Sequence, residues 1–253
     1  MVFRILHVSD THISDFGQFN EKMYYKFLES IDKLSYKPDL VIHTGDVVDN
    51  GTLSEYTLAK DLINQLNYKK LLTTGNHDER NYGGTLFNEF FGNSEIEYEV
   101  GKFKIFILSS SIPDRDEGRL GRRRQSYLQS RFLEIGDKYF KIVVFHHHLI
   151  PVPYSGREVN VLEDAGDVLH MILKNNVNMV LMGHRHIHYS LRINNTILAY
   201  AGTVSSRRTR GHFGNSYNLI EIDDDRVHIE EIKIEGGVGM KYSYKIKPIY
   251  DKD

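Results

Sequence analysis

Short apolar runs recur along the chain, and each is closed by a polar or glycine-containing break. Ile5 to Val8, Leu40 to His43, Leu71 to Thr73, Ile105 to Leu108, Ile142 to Phe145 and Val177 to Met182 are brief and rich in branched side chains. That pattern predicts buried strands. Between them, apolar residues fall at helical spacing: Met23, Phe27, Leu28, Ile31 and Leu34, then Leu58, Leu62, Ile63 and Leu66, then Leu162, Val168, Leu169 and Ile172. These stretches predict helices with one apolar stripe facing a sheet. The last third changes character. Leu191 to Ile193, Ile197 to Ala201, Tyr217 to Ile222 and Val227 to Ile234 are strand-like pieces, broken at Asn194-Asn195 and at Asp223 to Asp225. They predict antiparallel strands with short turns. The whole predicts one α/β domain over 1–253, with two packed sheets and helices outside. The Lys- and Tyr-rich end, from 236 to 253, is expected to be an edge strand or tail, with a dimer contact as a further reading.

Several of the strands run straight into residues that bind metals. The segments are Asp10-Thr11-His12, Gly45-Asp46-Val47-Val48-Asp49, Gly75-Asn76-His77-Asp78, His146-His147-His148 and Gly183-His184-Arg185-His186. In α/β folds, ligands collect beyond the carboxyl ends of strands. Asp10 and His12 are two apart, so on an extended segment both point the same way. His184 and His186 repeat that spacing, which turns Arg185 away from them. Gly45 and Gly75 supply backbone angles denied to other residues, letting Asp46 and Asn76 project into one space. A lone histidine at a strand end is usually just hydrogen-bonded, and His7, His43, His170 and His228 are read that way. Five such motifs together point instead to two cations. Mixed carboxylate, imidazole and amide ligands suit manganese, iron or zinc better than magnesium or calcium. A cation pair of this kind acidifies water and attracts phosphate.

Bulk composition narrows the reading only slightly. Apolar residues make up 40% of the 253, enough for a sizeable core, and the net charge of −2 gives no global basic field for nucleic acid or anionic membranes. With no cysteine, disulfides and thiolate zinc sites are excluded. The composition suits a cytoplasmic location. No apolar run reaches the ~18 residues of a membrane span. Met1 to Val8 is too short for a signal-peptide core and leads directly into Asp10, so it reads as a first strand.

The complete series DxH, GDxxD, GNHD, H and GHxH, from Asp10 to His186, resembles the calcineurin-like metallophosphoesterase superfamily. The resemblance implies a four-layer α-β-β-α sandwich of two mixed sheets flanked by helices. It implies two divalent metal ions (Mn, Fe or Zn, with Fe3+ admissible for one). Asp10, His12, Asp46 and His186 would hold the first. Asp46, Asn76, His146 and His184 would hold the second, with Asp46 bridging. His146 is preferred to His147 because the family ligand comes first after the strand. His77 would lie over the phosphate as general acid, oriented by Asp49, and a hydroxide shared by the metals would attack phosphorus. A loop cap is the plainer reading of Asp49.

Protein Ser/Thr phosphatases of this superfamily carry Arg and Glu where Asn50 and Asp78 stand here, which argues against that branch. Gly75 to Arg80 (GNHDER) and Gly45 to Tyr56 are similar to class III cyclic-nucleotide and glycerophosphodiester phosphodiesterases. His146 to Pro153 resembles their loop, with His148 and Leu149 in place of the usual prolines. The expectation is therefore a phosphodiesterase for cyclic nucleotides or other small phosphodiesters, with Asn76, His77, Arg80 and His147 binding substrate. The alternatives are a single-strand nuclease of the repair-nuclease branch, a phosphomonoesterase, or a noncatalytic scaffold. Near-neutral charge disfavours nucleic acid, and the intact His77 and ligand set disfavours a scaffold. A homodimer is admitted, a membrane is not. Arg122 to Arg124 read as a solvated run, and Arg207 to Arg210 as a rim that holds phosphate oxygens. His188 and Tyr189 are expected to line the pocket, and Tyr24, Tyr25 and Phe27 to pack a helix.

Overall fold

The computed structural model describes residues 2–156, 160–210 and 213–247 of the chain. Three strands, β1 (Phe3–Val8), β2 (Leu40–His43) and β3 (Lys70–Leu72), alternate with helices α1 (Glu21–Asp32) and α2 (Leu53–Asn64). They pair in parallel, Val8 against His43 and His43 against Leu72. After α3 (Gly83–Phe91), the chain builds β4 (Ile96–Val100), β5 (Phe103–Ile107), α4 (Gly121–Ile135), β6 (Phe140–Val144), α5 (Ala165–Lys174) and β7 (Met179–Met182). It ends with β8 (Tyr189–Ile193), β9 (Thr196–Tyr200), β10 (Ser216–Ile222), β11 (Arg226–Lys233) and β12 (Lys241–Lys245).

These strands make two six-stranded mixed sheets, in the orders β12-β11-β10-β1-β2-β3 and β4-β5-β6-β7-β9-β8. The period-2 alternation of the strands supplies both faces. Ile5, Ile42, Ile105, Ile142, Leu181 and Ile220 meet in the apolar layer between the sheets. Leu6, Val8 and Val41 face outward against Tyr24, Phe27, Leu62 and Phe87 of α1, α2 and α3. Val143, Val180 and Leu198 face the other way, against Leu128, Phe132, Val168 and Ile172 of α4 and α5. The expected α-β-β-α sandwich is the fold. Burying a Leu or Phe side chain in such a layer contributes roughly 1.5–3 kcal/mol.

Several expectations need correction. β9 lies in the supposedly antiparallel region, yet it pairs in parallel with β7 and antiparallel only with β8. Arg123 and Arg124 stand on α4 and pair with Glu95, so they anchor a helix that apolar spacing did not reveal. β12 lies at the edge of its sheet; residues 248–253 of the tail lie outside the described residues, as does Met1. Tyr24 and Phe27 are buried in the helix layer, whereas Tyr25 is exposed. No helix among the described residues is long and apolar enough to cross a membrane.

The β1–β2 pairing continues past the strand ends, and this positions the site. The amides of Asp10, His12 and Ile13 donate to the carbonyls of Gly45, Asp46 and Val47. A capping box at Thr52 and Glu55 starts α2, and Glu55 also accepts from the Asn50 amide. The loop carrying Asp49 is thereby tied to a helix terminus. The Gly183 amide donates to the carbonyl of His146, tying the β7 loop to the β6 loop.

Candidate metal centre

Beyond the ends of β1, β2 and β7 the backbone turns left-handed. Asp10, His12, Asp46, His184 and His186 have φ of 53°, 48°, 54°, 77° and 56°. An extended segment would have sent the side chains of Asp10 and His12 the same way; the segment is not extended, and the turn of the backbone aims them instead. Left-handed residues curl the loops inward and bring short side chains to one centre. Gly45 does need its positive φ of 97°. Gly75 is required for closeness instead: a Cβ there would lie 2.1 Å from Asp46 Oδ1. Asp78 is fully buried and pins the whole turn, its carboxylate accepting from the amides of Val47, Val48 and Gly75. Burial and the neighbouring Asp46 push its pKa up to about 7.

Two groups of ligand atoms result. In the first, His12 Nε2 lies 3.0 Å from His186 Nε2, and His186 Nε2 lies 3.2 Å from Asp10 Oδ1. In the second, His146 Nε2 lies 3.2 Å from Asn76 Oδ1, 3.2 Å from His184 Nδ1 and 3.3 Å from Asp46 Oδ2. Asp46 Oδ2 also lies 3.7 Å from His12 Nε2, so one carboxylate oxygen stands between the groups. His184 and His186, two apart in sequence, thus serve different groups. All seven predicted ligand residues converge.

The residues fit cations. Asp10 Oδ1 is buried and accepts no hydrogen bond among the described residues, an arrangement that is costly for a carboxylate unless a positive charge meets it. The far sides of three of the four imidazoles are held. His12 Nδ1 meets Gln18 at 3.0 Å and Asp49 Oδ1 at 3.2 Å, His146 Nδ1 donates to the Thr44 carbonyl at 2.7 Å, and His186 Nδ1 donates to the carbonyl of Arg208. Such outer contacts fix ring orientation in metal sites. Without a cation, protons fill the same role. Burial alone would lower the His12 pKa, but Asp10, Asp49 and Asp46 push it up to about 10. His146, buried beside Asp46, is likewise pushed up to about 9. Burial would raise Asp10 and Asp46, but the surrounding histidines hold both well below the usual carboxylate range. Cation binding therefore displaces protons.

A cavity of about 680 Å³ opens over the two groups, lined by His12, Asp46, Asn76, His77, His184 and His186. His77 stands at its edge, its amide bonded to Asp46 Oδ1 at 2.9 Å. Its Nδ1 lies 2.6 Å from the Asp49 carbonyl and 3.1 Å from the Asp49 carboxylate. Asp49 is thus more than a loop cap, since it touches both His12 and His77. Arg80 lines the cavity and pairs with Asp116, which also accepts from Asn76 Nδ2 at 3.1 Å. Gln18 and Asp116 carried no sequence signal, because both lie in irregular loops.

Other expectations move. His147 was expected to bind substrate, but it is fully buried, with Nδ1 bonded to Ser110 and Nε2 to the Asp116 carbonyl, and it does not line the cavity. His188 is buried away from it and bonded to Asn218, and Tyr189 does not reach it. His148 packs its ring on Tyr200. His7 and His43 keep the plain reading, as hydrogen-bonded core histidines. Arg185 takes part in neither ligand group yet still lines the cavity, as do Arg208, Thr209 and Arg210.

The model of the calcineurin-like phosphoesterase family matches residues 3–188. A probable glycerophosphodiester phosphodiesterase of Arcobacter nitrofigilis is 31% identical over 196 residues, covering 73% of this chain and 71% of that protein. A cAMP/cGMP dual specificity phosphodiesterase of Mycobacterium tuberculosis is 24% identical, covering 92% of this chain and 80% of its own length. The crystal structure of a dimetal phosphatase from Danio rerio superposes with a TM-score of 0.73 at 11% identity, covering 94% of this chain and 98% of that one, which shows the shared fold.

Proposed function

This chain belongs to the calcineurin-like phosphoesterase family and is a metal-dependent hydrolase of phosphoester bonds; from that footing we propose that it is a two-metal phosphodiesterase acting on small phosphodiesters, with cyclic nucleotides and glycerophosphodiesters as the leading classes. One observation carries the two-metal reading: Asp46 Oδ2 lies within 3.7 Å of His12 Nε2 and 3.3 Å of His146 Nε2, so a single oxygen serves both ligand groups. Asp10, His12, Asp46 and His186 would hold one cation, and Asp46, Asn76, His146 and His184 the other. Manganese, iron and zinc all fit this donor set. The bound pair would supply positive charge at the phosphate and a water acidified toward neutral pH.

The chain's own groups do the rest. His77 Nδ1, bonded at the Asp49 carbonyl, leaves Nε2 to carry the proton for the departing oxygen. The Asp49 carboxylate lies 3.1 Å from the same nitrogen and would help to hold the ring in place. Arg80, held by Asp116, offers a guanidinium to a phosphate oxygen. The relatives' printed activities on glycerophosphodiesters and on cAMP and cGMP support a diester over a monoester. The test is a panel run on protein reconstituted with each metal in turn: bis(p-nitrophenyl) phosphate, p-nitrophenyl phosphate, 2′,3′- and 3′,5′-cyclic AMP, and glycerophosphocholine. Diesters should be cleaved faster than the monoester. Loaded protein that leaves both nitrophenyl esters intact overturns the reading.

A further inference from the structure

We propose that Arg185 and Arg210 form a second anion subsite in the wall of the catalytic cavity, which selects phosphodiesters carrying an additional phosphate group. This rests on the phosphodiesterase reading for its substrate class, but not for its binding chemistry.

Some arginines on and around this face are already neutralised. Arg80 pairs with Asp116 at 2.7 Å, Arg115 with Glu117 at 3.2 Å, and Arg124 with Glu95. Arg185 and Arg210 differ: among the described residues, neither is paired with a carboxylate. Arg185 Nε donates to the Ser155 carbonyl at 2.8 Å, which fixes the plane of its guanidinium and leaves both Nη nitrogens for another partner.

Arg185 and Arg210 both approach Gly156. Gly156 has φ +85° and no side chain, and a Cβ placed there would sit 3.0 Å from Arg185 Nη2 and 3.6 Å from Arg210 Nη1. It would also lie 3.9 Å from the amide nitrogen of Asn160. The two guanidiniums therefore both pack close to Gly156, and both line the open cavity. Two like charges held this close repel each other, and a dianion placed between them converts that repulsion into charge-assisted hydrogen bonds. A phosphate monoester has the charge and the fork-matching oxygens for two guanidiniums. Both arginines line the same cavity as His77 and Asp46, so the phosphate they hold would belong to the molecule whose diester is cleaved.

Two measurements test this separately from catalysis. Inorganic phosphate is titrated calorimetrically into metal-free protein, wild type and Arg185→Gln/Arg210→Gln. The double variant should bind phosphate at least about tenfold more weakly, the loss expected for charge-assisted bonds. Equal binding by the two proteins, or no binding by wild type, overturns the subsite whether or not nitrophenyl diesters are cleaved. In the second measurement, loaded protein is given 2′,3′-cyclic AMP with and without a 5′-phosphate. The phosphorylated compound should have kcat/KM about tenfold higher in wild type, and the ratio should fall toward one in the variant. A wild-type ratio of one, or a ratio the variant keeps, overturns the proposal. Arg210→Gln alone, checked by circular dichroism, replaces the double variant if that fails to fold, and should show a smaller loss in the same direction. Failure to cleave bis(p-nitrophenyl) phosphate overturns the phosphodiesterase reading instead, and the phosphate titration then decides the subsite by itself.

Discussion

The floor of the cavity and its wall hold charge in different ways. On the floor, Asp10, His12, Asp46, His146 and His186 are buried, and each is held from behind by a backbone group or a neighbouring side chain. On the wall, Arg80 and Arg210 are half-buried, Arg208 is exposed, and these cationic groups have long side chains. The floor fixes its side chains from behind, as two-cation chemistry requires. The wall presents cationic groups to a substrate without belonging to either ligand group, so it selects rather than reacts. Substitutions on the floor should therefore act on turnover, and substitutions on the wall on affinity.

Asp46→Asn is the severest test, because it removes the charge that both ligand groups share. Turnover should fall by about a thousandfold or more, the scale of several kcal/mol of lost charge stabilisation, and metal analysis should show fewer than two ions per chain. A variant that keeps two tightly held ions would break the division. His77→Ala comes next. It should lower kcat by about a hundredfold or more with metal content unchanged, and the loss should shrink for diesters with a good leaving group such as nitrophenolate.

Arg80→Gln, on the wall, should raise KM by roughly fivefold with kcat within about twofold, the loss of one charge-assisted contact. If kcat falls instead, the wall takes part in the chemistry. The smallest effect concerns stability. Burial drives His7 down to about 3 and His43 down to about 4, so the folded state binds fewer protons than the unfolded chain below its ordinary value of 6.5. Their contribution is constant above 6.5 and is lost as pH falls from there toward 4, by up to about 1.4 kcal/mol per pH unit for each group. Urea midpoints of metal-free protein should decline over that window. In the same protein, His12 and His146 are raised, so stability should also decline as pH climbs from 6.5 through about 9 to about 10, and cation loading should abolish that second decline.

Most strands of both sheets were legible because they carry runs of apolar, often branched residues, Ile142 to Phe145 among them. The candidate ligand residues were legible because they follow those runs immediately. What escaped had weak local signals. α4 buries only Leu128, Phe132 and Ile135 of its fifteen residues, so its arginines looked like a solvated run. β4 has the sequence IEYEV, and only one of its faces is apolar. Asp116 and Gln18 reach the site through loops whose path depends on distant packing. His147 looked like a substrate contact from its place in the histidine triplet, and only the tertiary fold shows both its nitrogens already taken. The expected geometry of Asp10 and His12 also failed, because an extended backbone was assumed where the chain turns left-handed.

That left-handed turning has an energetic consequence. Five non-glycine residues occupy a conformation that costs roughly 1–2 kcal/mol apiece. The free energy of cation binding at these residues would offset that cost. A descendant of this chain that gave up hydrolysis would gain robustness by exchanging these five residues for glycine or asparagine. Durability and chemistry therefore pull the same five positions toward different amino acids.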